Sequence, residues 1–319
     1  MKFRTEIPVR ALPFEIGYRN RILSLGSCFA ESIAGRLAAA KFAVTLHPTG
    51  ILFNPRSIAS ALRRFETGRA VETGELHESG GLWFHYGFHG SFSGTDPQQT
   101  LAAMNRALAE GCRALAEADR LLVTFGTAWI YELRSSGETV ANCHRQPREQ
   151  FLRRRLSAAE IVAEWEALLE GSLAGKKVLF TLSPVRHVGD GAEENSLSKA
   201  TLRVAIAELA ERHPDVGYFP AFELLTDDLR DYRFYADDLV HPSRQAEQYI
   251  WEHFVQAALD REARRWLPEI EAALRALQHR PLHPGSEAWA NFRIRQRIRL
   301  KELQRLSGAD LKEEIAYFG

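Results

Sequence analysis

Short apolar runs alternate with amphipathic segments over most of the chain. Ile22–Leu25, Phe42–Leu46, Arg120–Phe125, Val178–Leu182 and Val216–Pro220 are each short enough for one buried strand. Between them, apolar positions recur at helical spacing. Phe29, Ile33 and Leu37 follow the first run, beside the small Ala30, Ala34 and Ala38. Asn54-Pro55 opens a helix facing inward through Ile58, Leu62 and Phe65, and Asp96-Pro97 opens one striped by Leu101, Met104, Leu108, Cys112 and Leu115. Ile161, Trp165, Leu168 and Leu169 mark a helix from Ala158 to Glu170, and Leu202, Ile206 and Leu209 mark the next. The last of the series turns Ala246, Tyr249, Ile250 and Phe254 inward. Strands and helices in this alternation predict a doubly wound α/β fold with a parallel sheet. The opening segment carries Phe3, Ile7 and Val9 but is broken by Pro8 and Pro13, which suits an edge strand or arm.

Three stretches leave the pattern. Residues 66–95 interleave seven glycines with Trp83, Phe84, Tyr86, Phe88 and Phe92, and we expect a β-hairpin excursion over the sheet edge. Residues 130–155 read as a polar loop containing Asn142-Cys143-His144. After Asp260 the chain turns helical and charged, with Arg293, Arg295, Arg297, Arg299, Lys301 and Arg305 facing only Glu302. This divides the chain into an α/β unit at 1–259 and a helical extension at 260–319. The basic segment reads as a solvated helix docked through Trp289 and Phe292, or as a surface for an anionic partner.

Composition excludes some classes. Lysine plus arginine equals aspartate plus glutamate at 41 each, so no nucleic acid partner is expected. No run approaches the roughly 20 apolar residues of a membrane span, and no membrane partner is expected. Met1–Glu6 holds no apolar stretch of signal-peptide length, and Cys28, Cys112 and Cys143 lack C-x-x-C spacing. Reduced thiols in a cytoplasmic protein are the expectation.

Candidate chemistry gathers where strands end. Gly26 turns the chain out of the first run and Ser27 stands where a helix begins, so a rigid strand holds a hydroxyl beside unpaired helix amides. A serine there also suits a plain N-cap. Asp238 and His241, three apart, can bring a carboxylate to one imidazole nitrogen while the other points outward. Should that nitrogen reach Ser27, the hydroxyl becomes an activated nucleophile. The Ser27 N–H, the Gly50 amide and a group near Gly126 follow strands and are candidate oxyanion donors. Arg186 can clamp a carboxylate or phosphate, or form a surface ion pair, and His89 can line the pocket. His144 reads as a solvated or pocket-edge histidine. Cys28, a better intrinsic nucleophile, is read as packed beside Ser27. His85 and His89 share a strand face but lack a third ligand at usual spacing, so neither metal nor cofactor is expected.

Gly26-Ser27-Cys28-Phe29-Ala30 reads as the signature of the GSCFA family, and further stretches resemble it in order: Thr124–Trp129, Asn142-Cys143-His144, Ser183–His187, Asp231–Tyr235 and Asp238–Ser243. The resemblance runs from about residue 3 to about 260. That family is similar to the SGNH or GDSL-like hydrolases, which implies a flavodoxin-like α/β/α sandwich carrying serine esterase or acyltransferase chemistry. It implies Ser27 as nucleophile and Asp238 with His241 as its partners, acting on a small acyl ester, which by fold-level analogy belongs to a carbohydrate. The wider superfamily places an oxyanion Asn two residues after the glycine of its third block, where this chain has Ala128. Asn142 is our expected replacement, with the Thr127 hydroxyl as the other candidate. Two rival readings are a non-catalytic module binding a glycan or anionic partner, and a thiol enzyme using Cys28.

Overall fold

The computed structural model describes residues 4–318. Met1, Lys2, Phe3 and Gly319 lie outside them, so the expected arm begins at Arg4. Five strands build the central sheet: β1 (Arg21–Gly26), β2 (Ala43–Leu46), β5 (Arg120–Phe125), β9 (Lys177–Leu182) and β10 (Val216–Phe219). All neighbours are parallel in the order β10-β9-β5-β1-β2. This is the doubly wound order in which the winding reverses between the first and third strands, and ligands of such sheets bind beyond the strand C-termini at that reversal. Here it lies between Gly26 and Phe125.

Alternation along the strands fills two cores. Leu23, Leu25, Leu121, Val123 and Phe125 face one side. They meet α2 (Pro55–Thr67), α3 (Pro97–Glu117), α4 (Ala158–Glu170) and α5 (Ala192–Arg212), which bury Ile58, Leu62, Met104, Trp165 and Ile206. Ile22, Leu122 and Phe219 face the other, against α1 (Phe29–Ala39), the single turn α6 (Ala221–Glu223) and α7 (Arg244–Ala258). The same core continues into α8 (Arg261–Leu277), α9 (Glu287–Ser307) and α10 (Lys312–Tyr317) through Leu267, Ile270, Leu300 and Ile315. Trp289 and Phe292 stack at 5.2 Å and dock the basic helix, as its pattern predicted. No described helix is long and apolar enough to cross a membrane.

The glycine-rich excursion contains the hairpin β3 (His77–Ser79) and β4 (Leu82–Phe84). The expectation for 130–155 is corrected. Those residues contain a three-stranded antiparallel sheet of β6 (Trp129–Leu133), β7 (Thr139–Val140) and β8 (Phe151–Arg155). Strands this short, carrying Glu132, Arg153, Arg154 and Arg155, give no apolar run. Arg154 and Glu132 instead pair across two of them at 3.0 Å.

Gly26 sets the direction in which the chain leaves β1. Its φ is +141°, and a Cβ there would lie 2.2 Å from the Thr124 carbonyl oxygen. Gly26→Ala is therefore expected to destabilise the fold by about 3–5 kcal/mol, read as a lowered urea midpoint, because backbone cannot yield as a flexible side chain does.

Candidate active site

At the winding reversal, the chain leaves β1 against β5. The Ser27 N–H donates to the Thr124 carbonyl at 3.0 Å, which directs the side chain inward. Ser27 is 1% exposed, its hydroxyl has no hydrogen-bond partner among the described residues, and its Cβ lies 3.1 Å from a Cβ built on Gly126. Cys28, one residue on, caps α1 and is half-buried.

Among the described residues no hydrogen bond joins Ser27 to His241. His241 Nε2 faces the Cys28 sulfur at 3.8 Å, a weak contact in which the thiol donates. On its other side, His241 Nδ1 donates to Asp238 Oδ2 at 2.7 Å. Asp238 Oδ1 accepts the backbone N–H groups of His241 at 3.0 Å and Val240 at 2.9 Å. The His241 amide, its ring and the Val240 amide hold the Asp238 carboxyl down at about 2. The carboxylate thus fixes the tautomer that leaves Nε2 free to accept a proton.

Two effects oppose each other at the sulfur. Burial pushes the Cys28 thiol up, while the N–H groups of Phe29 and of Cys28 itself, at the helix start, favour the thiolate. Burial dominates, so Cys28 rests as a thiol and needs a base. A cleft of about 360 Å³ opens beside it, lined by Cys28, Phe29, Glu31, Val185, His241 and Glu247. Ser27 is not part of its wall.

Most other expected contacts are already engaged within the fold. The Ser27 amide is bound to Thr124, the Gly50 N–H to the His47 carbonyl at 2.8 Å, and the Gly126 N–H to the Phe53 carbonyl at 2.8 Å. All three N–H groups are thus engaged within the fold. The Thr127 hydroxyl meets Ser198 Oγ at 3.1 Å and accepts the Trp129 N–H at 3.2 Å. Asn142 Oδ1 accepts the His144 N–H at 2.7 Å, and its Nδ2 lies beside Gly90, 3.6 Å from a Cβ built there.

His144 is held by the His85 carbonyl at 3.0 Å and stacks on Phe84 at 4.4 Å, so it anchors the excursion. His89 packs its Cβ against Gly50 and accepts the Ser91 N–H at 3.3 Å. Among the described residues Arg186 forms no ion pair. Its N–H donates to the Val240 carbonyl at 3.1 Å and its Nη1 to the Leu239 carbonyl at 3.3 Å. It therefore braces the loop that carries Asp238 and His241, in which Leu239 adopts a left-handed φ of +57°.

Two residues without an assigned role stand under the rim. His187 Nε2 is buried, unpartnered among the described residues, and 3.4 Å from a Cβ built on Gly126. Lys199, 2% exposed, donates to the carbonyls of Gly126 and Ser183, each at 2.7 Å. Its signal was present in the sequence: Lys199 stands three residues before Leu202, on the apolar stripe of α5. Among the described residues, no three His, Cys, Asp or Glu side chains are grouped to hold a metal.

Comparison with known proteins adds a family. Residues 21–254 match the model of the GSCFA family, and residues 270–319 match the C-terminal domain of GSCFA domain proteins. The second match extends the resemblance into the charged helices, where the sequence motifs did not reach. The chain matches no curated protein and no solved structure.

Proposed function

The chain belongs to the GSCFA family, and from that premise we propose that it is a thiol-dependent acyl-transfer enzyme, an esterase or O-acyltransferase with Cys28 as nucleophile. His241 Nε2 takes the thiol proton as the sulfur attacks the acyl carbonyl carbon, and Asp238 stabilises the imidazolium that forms. The Cys28 and Phe29 N–H groups, which face the sulfur at the head of α1, serve as the oxyanion donors. Collapse breaks the ester C–O bond, and His241 returns the proton to the leaving oxygen. A thioester on Cys28 remains. Water or an acceptor hydroxyl, deprotonated by His241, then attacks the thioester and releases the thiol. A small acyl group suits the cleft, and a carbohydrate ester is the preferred substrate class.

One observation carries this reading: Cys28 and His241 line an open cleft, with Asp238 bonded to the far side of the imidazole, while the neighbouring hydroxyl is sealed away. The test is an acid quench of the protein with p-nitrophenyl acetate, followed by peptide mass spectrometry. An acetyl group on Cys28 is expected. Its absence from a folded protein, with turnover no faster than buffer, returns the chain to the binding-module reading.

Arg186→Ala is expected to lower kcat about ten-fold with little change in KM, since losing a charged hydrogen bond of roughly 1.5–3 kcal/mol frees the His241 loop without touching substrate. A rise in KM at constant kcat would instead make Arg186 a substrate contact.

A further inference from the structure

Lys199 is a fully buried amine with no carboxylate within ion-pair reach among the described residues. Its partners are two carbonyls, Gly126 O at the end of β5 and Ser183 O just past β9, and the Phe222 ring, 5.9 Å away. Burying an ammonium without a counter-ion is costly, and a structural tie between two strand ends does not require a charge. What lies next to it is the reaction site. Gly126, whose carbonyl it holds, packs on Ser27, the residue before the nucleophile. Lys199 and the Cys28 thiol influence each other's ionisation, and Lys199 also disfavours protonation of His187, which in turn feels His241. The titratable groups around it are thus Cys28, His187 and, through His187, His241. None is an anion at rest.

We propose that Lys199 is the resident counter-charge of the site, a buried ammonium whose anion is the thiolate formed at Cys28 when His241 takes its proton. The proposal rests on the acyl-transfer reading and deepens it. Lys199 is a positioning residue: it holds the rim at Gly126 and Ser183 and acts on the sulfur through its field. Burial holds its own ionisation down to about 7. A neighbouring anion would draw it back towards the charged form.

Two nearly isosteric adducts test this in the wild-type chain. Iodoacetate leaves a carboxylate on Cys28 and iodoacetamide a neutral amide, each located by peptide mass. With Lys199 as counter-charge, the carboxymethyl protein melts about 2–4 °C above the carboxamidomethyl protein. Lys199→Gln, which keeps a donor but not the charge, abolishes the difference. It also raises the pH of half-maximal Cys28 alkylation by about one unit. Equal melting temperatures in the wild type, or a lower one for the carboxymethyl form, overturn the proposal, as does failure of both reagents to reach Cys28. The wild-type pair decides even where Lys199→Gln does not fold. Cys28-dependent turnover with equal melting temperatures discards the counter-charge alone. A retained difference without turnover discards the acyl-transfer reading alone.

Discussion

Cys28→Ala is expected to lower ester turnover by roughly three orders of magnitude or more, whereas Ser27→Ala leaves it within about five-fold. The asymmetry comes from where two adjacent side chains point. Removing the sulfur deletes the atom on the cleft wall that His241 addresses. Removing the Ser27 hydroxyl deletes a buried oxygen with no hydrogen-bond partner among the described residues. Loss of such a group is nearly neutral or mildly stabilising. Cys28→Ser is the sharper comparison, because it offers an oxygen on a shorter bond in place of a polarisable sulfur. Initial rates with p-nitrophenyl acetate on the three variants, each checked by circular dichroism, decide the matter. A Ser27→Ala variant as inactive as Cys28→Ala would restore the serine mechanism.

Stability is expected to fall as pH drops from about 6.5 to about 4. Burial, and secondarily the charges of His89, Arg64 and Lys199 respectively, hold His47, His85 and His187 down at about 4. All three are neutral in the fold, while the unfolded chain takes up their protons near 6.5. Between those values the unfolded state binds more protons, so acidification favours it, by about 1.4 kcal/mol per pH unit for each histidine at most. Asp238 and Glu160, both held near 2, contribute stability that persists until pH falls below the ordinary carboxylate range. Acid unfolding therefore starts in the histidine window. Melting temperatures at pH 7.5, 5.5 and 4.5 are expected to descend steeply, and His47→Asn to flatten the descent by about a third. Asparagine accepts the left-handed φ of +48° at that position and carries no titratable group. A melting temperature constant over this range would contradict the assignment.

The parts of the candidate site are legible in the sequence, but how they join is not. The spacing of Asp238 and His241 allows a carboxylate to meet an imidazole across one tight turn, and the family resemblance singles this pair out from the many such spacings that arise by chance. The neighbourhood of Gly26 was found because a glycine between an apolar run and a helical stripe announces a turn. Spacing does not decide whether the hydroxyl at the turn or the thiol after it faces the imidazole. Ser27 is drawn inward by the hydrogen bond its N–H donates to the Thr124 carbonyl, almost a hundred positions away, and the Cys28 sulfur is left facing His241. The partner of the Gly126 amide is hidden for the same reason, since it is the Phe53 carbonyl, which spacing cannot reveal.

Local pattern by itself determined the alternation of strands and helices, the glycine turn and the Asp238–His241 pair. Each depends on neighbours within a few positions, whose steric and apolar preferences act over one turn or one pleat. Tertiary structure alone decided that Cys28 meets His241, that Arg186 braces their loop, and that Lys199 ties β5 to β9 under the rim. Those outcomes depend on which backbone carbonyls the sheet leaves free at its edge, and that is settled when distant strands lie side by side.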